Sequence, residues 1–211
     1  MTTTLWLVAA AVVLATAAWS TVRPVPAVAR AVPAVVVLLA LLAVRIGTGT
    51  IAPGPAERTA HPPHGLVASA PDAVVGTVLA AAVCLVGILA GSAVTGAVLG
   101  VAMRGDLRRG DVRRGTHGGI LVSTRDEPLG SSTAPEPSEV LRGGSVIGFL
   151  ERFAIVGAAL VGHLEIVAAV IAVKGLGRFS ELDSPAARER FIVGTLTSTC
   201  WAGLAAAVVL L

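Results

Sequence analysis

Apolar runs without charge alternate along the chain with short arginine-rich segments. Each run long enough to form several helical turns reads as a membrane helix, because a segment that uses lipid as its solvent carries no charge and satisfies its own backbone. The first run predicts a helix over 5–21. Met1-Thr2-Thr3-Thr4 before it lacks the basic residues of a signal peptide, and Arg23 and Arg30 come after it, so the helix is read as retained. Trp6 and Trp19 would stand ~20 Å apart on it, one near each membrane interface. A second helix is predicted over about 31–46, bracketed by Arg30 and Arg45, whose heads can snorkel to the interface. Pro33 falls in its first turn, where a missing N–H costs nothing. The stretch 46–72, rich in Pro, Gly and Thr, reads as a loop.

The third run, 73–103, exceeds one bilayer thickness and must tilt or protrude. Small residues recur along it at four-residue spacing, with Gly87 and Gly91, then Ser92, Gly96 and Gly100. Such spacing suits close approach of two helix backbones. A long polar connection, 104–144, follows. Its first part is rich in arginine, a topology signal that also suits anionic lipid headgroups, and its Pro/Ser/Glu-rich second part reads as disordered.

The last third turns on charge. A single span across 153–173 would bury His163 and Glu165 at the bilayer centre and send the basic residues from Lys174 to Arg190 to the side opposite the arginine cluster. A hairpin avoids both: helices over about 145–161 and 166–179, turning at Gly162-His163-Leu164-Glu165. A final helix over about 191–211 carries Gly194, Ser198 and Ala202, then Thr195, Thr199 and Gly203, again at four-residue spacing. The expected fold is therefore all-α, an integral membrane bundle of about six helices. Its parts are an N-terminal set over 1–103, the loop 104–144, and a C-terminal set over 145–211. The arginine-rich loops lie in the cytoplasm and both termini face outward.

Composition agrees. Hydrophobic residues make up 55% of the chain and charged residues only 14%, against about 25% in an ordinary soluble domain. The net charge of +3 is small, and aromatics are 3% with no tyrosine, which leaves no basic, aromatic face for nucleic acid. Lys174 is the only lysine among the 16 basic residues, and with abundant Ala, Gly and Val this suggests GC-rich codons and a bacterial inner membrane. Cys84 and Cys200 sit in apolar runs as small packing residues.

One segment carries a resemblance. Ile147-Gly148-Phe149-Leu150-Glu151-Arg152, Ala172-Val173-Lys174, Arg178-Phe179-Ser180-Glu181-Leu182, and Phe191-Ile192-Val193-Gly194-Thr195 stand in fixed order across about 144–204. The pattern resembles an uncharacterised family of bacterial polytopic membrane proteins, a domain of unknown function. The resemblance implies a membrane protein and no particular reaction. In the hairpin, position 151 lies level with about 176, so Glu151 is expected to pair with Lys174 or Arg178 at the cytoplasmic interface, since partly desolvated charges need partners. Arg152 reads as an interfacial anchor, in reach of lipid phosphates or of Glu181.

Candidate chemistry is sparse. His61 and His64 offer two ligands where metals usually want three or four. His163 and Glu165 read as solvated polar residues at the turn. No phosphate loop, nucleophile elbow or zinc-protease motif is present, so no catalytic residue and no cofactor are assigned. Three functions compete: a non-catalytic assembly or regulatory component, partnered by lipid and by another membrane protein or a second copy; a small channel or transporter whose polar path includes Glu151, Lys174, Thr195 and Ser198; and, ranked last, a membrane enzyme.

Overall fold

The structure is a computed structural model and describes residues 2–22, 25–47, 70, 73–102, 112–114, 120–122, 144–177 and 185–211. Seven helices form a bundle: α1 (Thr2–Thr21), α2 (Ala27–Gly47), α3 (Ala73–Leu89), α4 (Gly91–Ala102), α5 (Gly144–Leu160), α6 (Glu165–Gly177) and α7 (Pro185–Leu210). Within the 104–144 connection, β1 (Val112–Arg114) and β2 (Ile120–Val122) pair as a short antiparallel ribbon.

The bundle is small inside and large outside. Its core is mostly alanine and valine, as in Ala10, Val13 and Ala17 of α1, Ala31 and Ala34 of α2, and Ala202 and Ala205 of α7. Leu5, Leu39, Ile46, Phe149, Phe153 and Leu196 point outward. A soluble protein buries its large aliphatic side chains. In lipid there is no hydrophobic drive between helices, so small residues that allow close backbone contact collect at the seams. α3 illustrates this at Gly87, where an added Cβ would stand 2.5 Å from Cβ of Ala205.

α2 begins four residues earlier than its charge bracket suggested, so Pro33 lies inside the helix rather than in its first turn. Proline has no N–H to give the carbonyl four residues before it, which here is Ala29. The Trp19 indole N–H donates to the Ala29 carbonyl at 3.1 Å. The vacancy created by Pro33 thus ties the end of α1 to the start of α2. Trp19→Phe is expected to cost about 1 kcal/mol. Adding Pro33→Ala should shrink that cost, because residue 33 then supplies the missing donor; unfolding midpoints of the four proteins in mixed micelles measure the coupling.

Among the described residues, three helices are long and apolar enough to cross a membrane, over Thr3–Thr21, Ala27–Ile46 and Arg188–Leu210. The 73–103 run is not one straight helix. α3 and α4 are bent by 41° at Ala90, and as a broken span they make a fourth crossing. α5 and α6 form the hairpin, turning over 161–164, with Gly162 in the left-handed region at φ +78°. Their 17 and 13 residues give only about 25 and 20 Å, below the length of an ordinary crossing, so the structure supplies three or four full-length spans where six were expected. α7 packs against α3, α4 and α5, whereas α6 rests on α5 and has no buried residue.

Candidate functional site

Glu151 and Arg152 are neighbours in sequence but not in environment. Consecutive helical residues project about 100° apart. Glu151 faces α6, where its carboxylate accepts from the Lys174 ammonium. Arg152 lies on the adjoining face with Ile155 and Val156, three and four residues on, and all three are buried.

The position of Arg152 corrects its reading as an interfacial anchor. The residue is 3% exposed and reaches neither solvent nor a lipid-facing surface. Its Nε donates to the Ile88 carbonyl at 2.8 Å, Nη2 to the Ser92 hydroxyl at 2.9 Å, and Nη1 to the Ser198 hydroxyl at 3.2 Å. One guanidinium therefore joins α5 to α3, α4 and α7. Its planar fork can meet three separated acceptors at once, which the single point of an ammonium cannot.

The contact with Ile88 lies at the bend. A side-chain donor entering the backbone ladder is a recognised cause of helix kinks. Gly91 makes the entry sterically feasible: a Cβ there would lie 2.3 Å from Cδ and 2.4 Å from Nε of Arg152. The four-residue spacing of Gly87 and Gly91 thus marks two contacts, one with α7 and one with a side chain of α5. Gly100, in the same sequence pattern, meets nothing within 4 Å.

Of the remaining site residues, Ser198 belongs to the arginine cluster. Thr195 lies one turn before it on α7, and Thr95 one turn after Ser92 on α4. The hydroxyls of both threonines are buried and have no hydrogen-bond partner among the described residues. Thr95 stands close to the neighbour of Thr195, since a Cβ on Gly194 would be 3.8 Å from its methyl carbon. Arg178, Glu181, His61 and His64 lie outside the described residues. At the hairpin tip, His163 Nδ1 and Glu165 Oε1 are 2.7 Å apart, and both side chains are exposed. Among the described residues, no three His, Cys, Asp or Glu side chains gather into a metal-binding group.

Ser198 lies ten residues after Arg188, the first residue of the candidate span Arg188–Leu210, or about 15 Å along the helix, and Arg152 meets α7 at that level. A cavity of ≈ 220 Å³ lies elsewhere, between α2 and α4, lined only by valine and alanine from Val28 to Val36 and from Val94 to Val98.

No protein-family model, curated protein or solved structure matches the chain.

Proposed function

We propose that this chain is a non-catalytic, multi-pass component of a bacterial inner membrane that acts through helix packing, as an assembly or regulatory subunit. The observation that carries the reading is the hydrogen bonding of Arg152 inside the bundle. Every nitrogen of its guanidinium is engaged by a protein acceptor inside a closed bundle, and Glu151 is paired with Lys174. A polar route for ions would keep such groups hydrated or free to exchange partners. The cavity between α2 and α4 is apolar and separate from the charges. On this reading the hairpin α5–α6 inserts beside the full-length helices as a short pair, with its basic ends and the arginine-rich loops on the cytoplasmic side.

A small channel or transporter running past Glu151, Lys174 and Thr195 is the second reading. One feature favours it: the buried, unpartnered hydroxyls of Thr95 and Thr195. Flux separates the two. Proteoliposomes of the full chain, and of Glu151→Gln, are expected to pass potassium, sodium, chloride and protons no faster than protein-free vesicles. Flux through the unaltered chain that Glu151→Gln abolishes would remove the packing reading.

A further inference from the structure

Arg152 brings more hydrogen-bond donors into the bundle than its partners use. A guanidinium carries five N–H groups. Three of them are directed, to the Ile88 carbonyl and to the hydroxyls of Ser92 and Ser198. Those two hydroxyls accept, so their own protons are left to donate. Elsewhere in the bundle such protons return to the helix: Thr16, Ser20, Thr21 and Thr77 each donate to a carbonyl three or four residues back, at 2.7–2.8 Å. Ser92, Ser198, Thr95 and Thr195 make no such bond among the described residues. No carboxylate among the described residues meets the guanidinium either, since Glu151 is turned to Lys174. The cluster is thus rich in donors, positively charged and, with Arg152 at 3% exposure, out of solvent.

These groups lie at one level. Val156 and Ala202 share a core cluster and Arg152 meets Ser198, so α5 and α7 run parallel here. α4 runs against them, because Ser92 meets Arg152 while Thr95 stands beside Gly194. Gly148 of α5, Thr95 of α4 and Thr195 of α7 therefore all lie about one turn from the cluster on the same side. Gly148 keeps space there. A Cβ on it would meet Nη1 of Arg152 at 3.2 Å and, apart from its chain neighbours and its own helix backbone, nothing else within 4 Å.

We propose that this cluster binds a small monovalent anion of chloride size, seated beside Nη1 of Arg152 and hydrogen-bonded by the hydroxyls around it. A buried charge is costly unless it is both paired and hydrogen-bonded. Water can join the hydroxyls but leaves the charge as it is. A monovalent anion accepts from several donors at once and neutralises the guanidinium. A divalent anion would leave a net negative charge in its place, and a lipid phosphate does not reach a side chain so enclosed. The ion is a structural one, joining α4, α5 and α7 beside the bend. The inference rests on the packing reading above and names the ligand that the packed cluster takes.

The test uses the full chain in detergent micelles at constant ionic strength, with gluconate exchanged stepwise for chloride. The unfolding midpoint is expected to rise and level off, by about 5 °C from chloride-free gluconate to saturation. Bromide, close to chloride in size, should act in its place, and sulfate should not. Arg152→Met, which removes the charge and keeps most of the volume, should lose the dependence. Thr95→Val/Thr195→Val keeps shape and charge but removes two donors, and should raise the half-saturating chloride concentration about ten-fold. A midpoint indifferent to chloride would overturn the proposal and leave water among the hydroxyls. A rise that survives in Arg152→Met would place the anion elsewhere, and a rise that sulfate matches would be an effect of salt alone; either overturns it. Should Arg152→Met not fold, the threonine double variant decides by itself, since an unchanged half-saturation there also overturns the site. Chloride flux through the chain in proteoliposomes sinks the packing reading and the structural ion with it, whereas a chloride-independent midpoint with no flux sinks this inference alone.

Discussion

Gly91→Ala is expected to destabilise the folded chain by about 3 kcal/mol, near the top of the usual range for overpacking. The new methyl would sit 2.3 Å from Cδ, 2.4 Å from Nε and 2.9 Å from Cζ of Arg152. An ordinary arginine would swing aside at small cost. This one is held at its far end by Ile88, Ser92 and Ser198, so relief of the clash means breaking one or more of those bonds or separating α5 from α4. Denaturation in mixed micelles gives the size of the effect. Two further variants make it specific. Gly100→Ala, in the same pattern but facing open space, should be neutral or mildly stabilising, since alanine is the better helix former. In an Arg152→Ala background the Gly91→Ala penalty should fall below about 1 kcal/mol, because its steric partner is gone. A Gly91 substitution as mild as that at Gly100 would mean that the guanidinium does not pass through the α3–α4 bend.

Arg152 itself should show an order of effects that a surface anchor could not produce. Arg152→Ala is expected to cost about 3 kcal/mol, through the cavity left among α3, α4, α5 and α7 and the stranding of the Ile88 carbonyl. Arg152→Lys keeps the buried charge but loses the fork, and should cost about 2 kcal/mol. Arg152→Met fills most of the same volume and removes the charge. It should come within about 1 kcal/mol of the unaltered chain, because replacing a buried ion by a packed apolar residue is often close to neutral. The measurement is again the unfolding midpoint, read for the three variants side by side. Three similar, small effects would return Arg152 to the interface.

The fold was largely legible in the sequence because lipid imposes a rule that acts on short windows. An uncharged run must be a helix, and its length sets whether it crosses. That rule finds α1, α2 and α7 to within a few residues at most ends. The hairpin was legible for a related reason: the charges of His163, Glu165 and the basic residues after Lys174 have only one inexpensive arrangement across a membrane. The pairing of Glu151 with Lys174 follows from the register of two helices joined by a short turn, which is local geometry.

Other features depended on contacts between distant segments. Pro33 could be assigned to a first turn or to a helix interior until the Trp19 indole was seen on the Ala29 carbonyl. The 73–103 run has no proline and no charge to announce a break at Ala90; the donor associated with the bend comes from a residue some sixty positions away. Arg152 was misplaced because sequence reasoning treated Glu151-Arg152 as one charged point at a helix end. One signal was available: 152, 155 and 156 share a helical face, and two of the three are large and apolar, which points that face inward. What the sequence determined by itself was which segments leave water, since hydration is a property of each segment alone. What the tertiary structure decided was which polar groups stay inside and who satisfies them, because a hydrogen bond between helices exists only once the helices have met.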